Sequence, residues 1–82
     1  QRKKFPTLVP DFLIELLSET DRLTTLQEKM NEYIQNGLRL GWLINPQDAQ
    51  VEIYRLGKAV EVKQMPAIIS GEDILPGFEL QV

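Results

Sequence analysis

Two residues in this chain have a type and setting suited to chemistry: Glu15, inside the apolar run Asp11-Phe12-Leu13-Ile14-Glu15-Leu16-Leu17, and Lys29, within the helical pattern that follows. An ionised carboxylate among apolar neighbours costs several kcal/mol unless a cation pairs with it or a metal ion is coordinated by it. Three readings are open for Glu15: a bend or edge that lets it reach water, an arginine partner, or service as a ligand for Mg²⁺. That ion takes oxygen donors and usually only one or two protein carboxylates. Asp11 shares the strand face of Glu15, but four residues at about 3.3 Å each separate them by roughly 13 Å, too far for one ion to touch both. A second carboxylate would have to come from a neighbouring strand, and Asp48, Glu52, Glu61, Glu72 and Asp73 all sit in less apolar contexts. The expectation is that it lies outside these residues. Lys29 alone reads first as a surface lysine, because Glu28 and Glu32 beside it suit a solvated helix face.

The elements that would position these two side chains follow from periodicity. Residues 11–17 have strand length, are entered from Pro10 and left through Ser18-Glu19-Thr20-Asp21, and read as a strand buried on both faces. Alternation puts Phe12, Ile14 and Leu16 on one face and Asp11, Leu13, Glu15 and Leu17 on the other. From about Arg22 to Asn36, Leu23, Leu26, Met30, Tyr33 and Ile34 recur at helical spacing, and Asn36-Gly37 is a stop signal. Thr20, Asp21 and Thr24 are candidate caps. The helical wheel puts Lys29 on the flank of the apolar stripe, from which it can reach back towards the sheet. Leu40 to Ile44 is a second strand, and the strand, helix, strand order predicts a right-handed crossover between parallel strands. Asn45-Pro46-Gln47-Asp48 turns the chain. Val51, Ile53, Val60 and Val62 alternate with polar residues around Arg55-Leu56-Gly57-Lys58, the pattern of an antiparallel hairpin with one solvated face. The tail reads as turns that pack Ile74, Leu75 and Phe78 onto the body, with a last short strand ending at Val82.

Bulk properties narrow the function classes. At 82 residues the chain holds one small domain at most, of marginal stability. Its 43% hydrophobic and 26% charged residues suit a folded globular protein. No apolar run approaches the roughly 18 residues of a membrane-spanning helix, and the start lacks the apolar core of a signal peptide, so a cytoplasmic location is expected. The absence of cysteine and histidine excludes disulfides, thiolate metal sites and the usual zinc ligands, leaving hard, oxygen-bound metals. A net charge of -3 argues against a module that grips nucleic acid by charge alone, although Arg2, Lys3 and Lys4 form a basic cluster. The first residue is not methionine, and the chain reads as a piece of a longer protein.

Val9-Pro10-Asp11-Phe12-Leu13-Ile14-Glu15-Leu16-Leu17-Ser18, then Asp21-Arg22-Leu23, Leu26-Gln27-Glu28-Lys29-Met30, Tyr33-Ile34, Asn36-Gly37 and Leu40-Gly41-Trp42-Leu43-Ile44, resembles the Uma-type restriction endonucleases of the PD-(D/E)xK nuclease superfamily. The resemblance continues through Val51-Glu52-Ile53-Tyr54-Arg55 and Ser70-Gly71-Glu72-Asp73-Ile74-Leu75-Pro76-Gly77-Phe78. It implies an α/β fold with a restriction-endonuclease-like mixed sheet, in the order strand, helix, three strands and a short C-terminal strand. Residues 1–82 would be a single partial domain, the C-terminal part of a nuclease domain. Glu15 would be the acidic metal ligand, with the backbone carbonyl of Leu16 adding another.

In the superfamily a lysine usually follows two residues after the acid. That position is Leu17 here, so the resemblance assigns the role to Lys29 on the helix, and it puts the partner aspartate upstream of Gln1. Glu19 stands where family members usually carry proline, which bears on the loop rather than the site. The implied function is Mg²⁺-dependent DNA endonuclease activity in the full-length protein, with the present piece inactive alone. A homodimer is expected from the exposed edge of the first strand. The competing readings are a non-catalytic assembly module on the same fold and a nucleic-acid binder without hydrolysis.

Overall fold

The computed structural model describes residues 9–82; the basic cluster Arg2, Lys3 and Lys4 lies outside the described residues. Chain order is β1 (Phe12–Leu16), α1 (Leu23–Gln35), β2 (Leu40–Asn45), β3 (Gln50–Arg55), β4 (Glu61–Gln64), β5 (Ile68–Ser70) and β6 (Glu79–Gln81). The first four strands form one sheet in sequential order, with β1 and β2 parallel and the pairs β2/β3 and β3/β4 antiparallel. This is the mixed sheet of the restriction-endonuclease-like fold. β5 and β6 pair antiparallel in a separate two-stranded sheet.

Strand alternation divides the apolar residues between two cores, one on each face of the main sheet. On one face Leu26 and Met30 of α1, one helical turn apart, pack with Leu17, Leu38, Leu43 and Tyr54. On the other, Leu40, Trp42, Val51 and Ile53 pack with Ile69 of β5, flanked by Ile74 and Leu80. The Phe12 and Trp42 rings meet edge to face at 4.8 Å, and Phe78 stacks on Trp42 at 6.1 Å. Arg55 ties this layer together, its guanidinium 2.6 Å from Glu72 and 3.0 Å from Glu61.

The helix stops where Asn36-Gly37 predicts. Gly37 has φ 112°, its N–H donates to the Ile34 carbonyl, and the Leu38 N–H donates to the Tyr33 carbonyl, the paired bonds of a Schellman motif. That turn drops the buried Leu38 between α1 and the sheet. Gly41 lets the two approach: a Cβ there would sit 2.5 Å from the Met30 methyl and 2.9 Å from Leu38 Cδ2, both on fully buried side chains. Gly41→Ala is therefore expected to push aside the ends of Met30 and Leu38 and to destabilise the fold by about 1 kcal/mol, because both contacts are with the tips of flexible side chains. Urea unfolding measures this, and an unchanged midpoint would show that the interface yields freely.

Four expectations need correction. β1 is not buried on both faces: among the described residues it is an edge strand, and Ile14 and Leu16 are 40% and 61% exposed, whereas Phe12 packs against the second core. β3 has no solvated face, since Val51, Glu52, Ile53 and Tyr54 are all buried between the two layers. The tail contains β5 as well as the final strand; three residues are too short a stretch for alternation to announce. Finally, α1 has Arg22 at its N-cap in extended conformation with no side-chain cap.

Candidate active site

The register of the sheet sets the site. Glu15 of β1 pairs with Leu43 of β2, and Leu43 pairs with Glu52 of β3, so all three side chains share the face covered by α1. α1 lies over this face with Leu26 and Met30 pointing down. Lys29 leaves one flank of that stripe and Gln27 the other, because residues two apart in a helix are separated by about 200°.

Lys29 Nζ lies 3.1 Å from Glu15 Oε2, joining helix to edge strand. The Glu15 side chain is 20% exposed and that of Lys29 is 42% exposed. Glu15 thus combines two possibilities raised for it, partial access to water at a sheet edge and a basic partner, with lysine in place of the arginine considered. An exposed pair of this kind contributes only about 0–1 kcal/mol to folding, so stability gives little reason for it.

The other flank holds a carboxylate that sequence reasoning passed over. Glu52 is 6% exposed, the most deeply buried acid among the described residues. Its Oε2 accepts a 2.8 Å hydrogen bond from Gln27 Nε2, and its Oε1 accepts one of 2.7 Å from the Tyr54 hydroxyl. Burial first, and then the bond to Glu52, push the Tyr54 hydroxyl pKa above its ordinary range. The available signal was Tyr54 itself: an aromatic residue two positions on along a strand shares the face of Glu52 and argues against solvent there.

Between β1 and α1 the chain is held by Asp21, whose carboxylate accepts bonds from the Ser18 N–H at 2.9 Å and the Ser18 hydroxyl at 2.8 Å. Asp21 therefore organises the loop instead of capping the helix. The backbone bond, then the hydroxyl bond, hold its carboxyl below the usual carboxylate range, with a smaller contribution from Lys29. A depressed folded-state value means that the loop's stabilisation is present above the ordinary carboxylate pKa and is lost as pH falls through the lowered one. NMR titration of Asp21 is expected to give a midpoint below that of a free aspartate. Ser18→Ala should move it only part of the way back, since the backbone donor remains; no movement would remove the hydroxyl's share.

No group of three or more potential ligands that could hold a metal occurs among the described residues. β2 offers Leu43 opposite Glu15 and no carboxylate, while the other side of β1 is a free sheet edge among the described residues.

Comparison with known proteins places this geometry. The family whose description reads "Putative restriction endonuclease" (Uma2) matches residues 1–82, and the chain belongs to that family. It is similar to a solved structure described as a putative nuclease belonging to DUF820 from Anabaena variabilis. The two share 28% identity and a TM-score of 0.80, over 90% of this chain and 42% of that one. The present chain thus spans less than half the length of that relative. No curated protein matches the sequence. No helix among the described residues is long and apolar enough to cross a membrane.

Proposed function

We propose that the complete protein hydrolyses phosphodiester bonds in DNA with the help of a divalent cation, Mg²⁺ being the expected one, and that Glu15 and Lys29 are active-site residues. The observation that carries this reading is the 3.1 Å approach of the Lys29 amine to the Glu15 carboxylate, in a chain whose whole length matches a restriction endonuclease family.

The donor set fits a hard cation. Glu15 offers carboxylate oxygen at a partly hydrated edge, with no thiolate or imidazole in the chain to favour a softer metal. Glu15 and the Leu16 carbonyl would hold the ion, which keeps several waters when protein ligands are few. When bound, it lowers the pKa of a coordinated water and neutralises charge developing on phosphate. Glu15 contributes a fixed anionic ligand whose orientation is set by the β1/β2 register. Lys29, a compact point charge on a flexible stem, is held where a phosphate oxygen or attacking water beside Glu15 meets a positive charge. On this reading residues 1–82 are the C-terminal part of the domain, and the second carboxylate would come from a further strand beside the edge of β1 that is free among the described residues.

The direct test is DNA cleavage by the complete protein, expected with Mg²⁺ and abolished by chelation. Cleavage that persists undiminished after chelation, or none under any divalent ion, would remove the assignment.

Without that further strand, the open edge of β1 and the exposed Ile14 and Leu16 beside it favour pairing between copies of residues 1–82. For residues 1–82 alone, light scattering is expected to report a homodimer formed through β1, and a monomer at high concentration would eliminate that contact.

A further inference from the structure

We infer that Gln27, Glu52 and Tyr54 form a positioning device that fixes the roll of α1 and so keeps Lys29 at Glu15; this rests on the proposed role of Lys29. Glu52 is the starting point. A buried carboxylate stabilises a fold weakly at best, and a well-packed apolar residue of similar volume is often neutral or better in its place. Here the carboxylate is fully provided for, each oxygen accepting one hydrogen bond, and one of the two donors belongs to the helix. The other, Tyr54, stands on the same strand and the same face, and is itself buried. Gln27 is thus tied to a rigid acceptor in the middle of the sheet.

The tie adds to apolar packing. Leu26 and Met30 are the buried residues of the helix, Leu23, Tyr33 and Ile34 pack partly buried against the same core, and no side chain caps the N-terminus. Rotation about the helix axis is opposed by what its flanks hold, and the flanks reach strands on either side of β2: Gln27 to β3 at 2.8 Å, Lys29 to β1 at 3.1 Å. A roll of about 20° at an outer radius of about 5–6 Å moves a flank group by about 2 Å, enough to undo either contact. The two contacts therefore support each other, and the buried one, less exposed to water and salt, sets the position of the exposed one. Glu52 does not itself join Glu15 around a cation: it stands two strands away with Leu43 between them, and both its oxygens are already engaged.

The experiment uses the complete protein with Gln27→Leu, Glu52→Gln and Lys29→Met. Two quantities are read: the side-chain ¹⁵Nζ signal of Lys29, assigned by its loss in Lys29→Met, and the kcat and KM of DNA cleavage. Gln27→Leu keeps the helix and its apolar stripe. It is expected to shift the Lys29 signal to the position of a free lysine and to lower kcat by about 10- to 100-fold, with KM within about twofold. Glu52→Gln keeps the shape, can exchange donor and acceptor with Gln27, and can still accept from Tyr54. It is expected to retain the Lys29 signal and to keep kcat within about fivefold of the parent. An unmoved Lys29 signal and unchanged kcat in Gln27→Leu would overturn the inference, as would a Glu52→Gln variant as impaired as Gln27→Leu. If the signal moves in Gln27→Leu while Lys29→Met cleaves normally, the positioning device stands and the catalytic reading of Lys29 falls.

Discussion

Replacing Glu15 by glutamine is expected to lower DNA cleavage by the complete protein by more than about 100-fold, while changing folding stability by no more than about 1 kcal/mol. The separation between the two effects is the informative part. Residues that merely orient a metal ligand already cost about 10- to 100-fold when removed, so loss of the ligand itself should cost at least as much. Glutamine keeps the volume and one oxygen of the side chain but not the charge that, on the proposed function, would hold a divalent cation. Folding is insulated because Glu15 is partly exposed at the sheet edge and its pair with Lys29 is a surface one. Cleavage kinetics beside a urea melt read both quantities. Equal cleavage by the variant and parent would take Glu15 out of the reaction, and a collapse of stability would make it a structural residue.

Lys29→Met is the second large effect. It preserves the aliphatic stem that covers the edge of the apolar stripe and removes only the ammonium. If that charge faces phosphate in the transition state, kcat should fall by about 100- to 1000-fold with KM near the parent value, the signature of an interaction realised after binding. Lys29→Arg should restore it only in part, because a planar guanidinium pairs with Glu15 through a fork and spreads its charge instead of presenting it at one point. The double variant with Glu15→Gln should be little worse than the more damaged single one, since the two act as a unit. Strict additivity would mean independent roles.

The placement of the two central residues was legible in part. The run around Glu15 has strand length and the apolar spacing from Leu23 to Ile34 puts Lys29 on a flank that can reach the sheet, whereas by residue type Lys29 read as a surface lysine and its proposed role came from the family resemblance. The parallel pairing of β1 and β2 followed from the intervening helix, and the Asn36-Gly37 stop from the left-handed freedom of glycine.

What escaped was decided by tertiary contact. Val51 and Ile53 alternating with Glu52 reads locally as a half-solvated hairpin, and the arrival of α1, with Leu26 and Met30 on Tyr54 and Gln27 on Glu52, closes the second face. The same limit applies in reverse to β1, where an apolar run suggested burial on both sides and its edge position leaves Leu16 exposed. Apolar runs report a preference for burial; which neighbours are present to satisfy it is a property of the assembled sheet. β5 lay below the length at which alternation carries information, although its Ile69 is part of the core beneath Trp42.

Diffraction from crystals of the complete protein soaked in Mn²⁺, recorded at a wavelength where manganese scatters anomalously, tests the central claim most directly. An anomalous peak about 2 Å from a Glu15 carboxylate oxygen, with the Lys29 amine beside the site, is the predicted result. A peak bound elsewhere, with Glu15 still paired to Lys29 and no ion near it, would contradict the account.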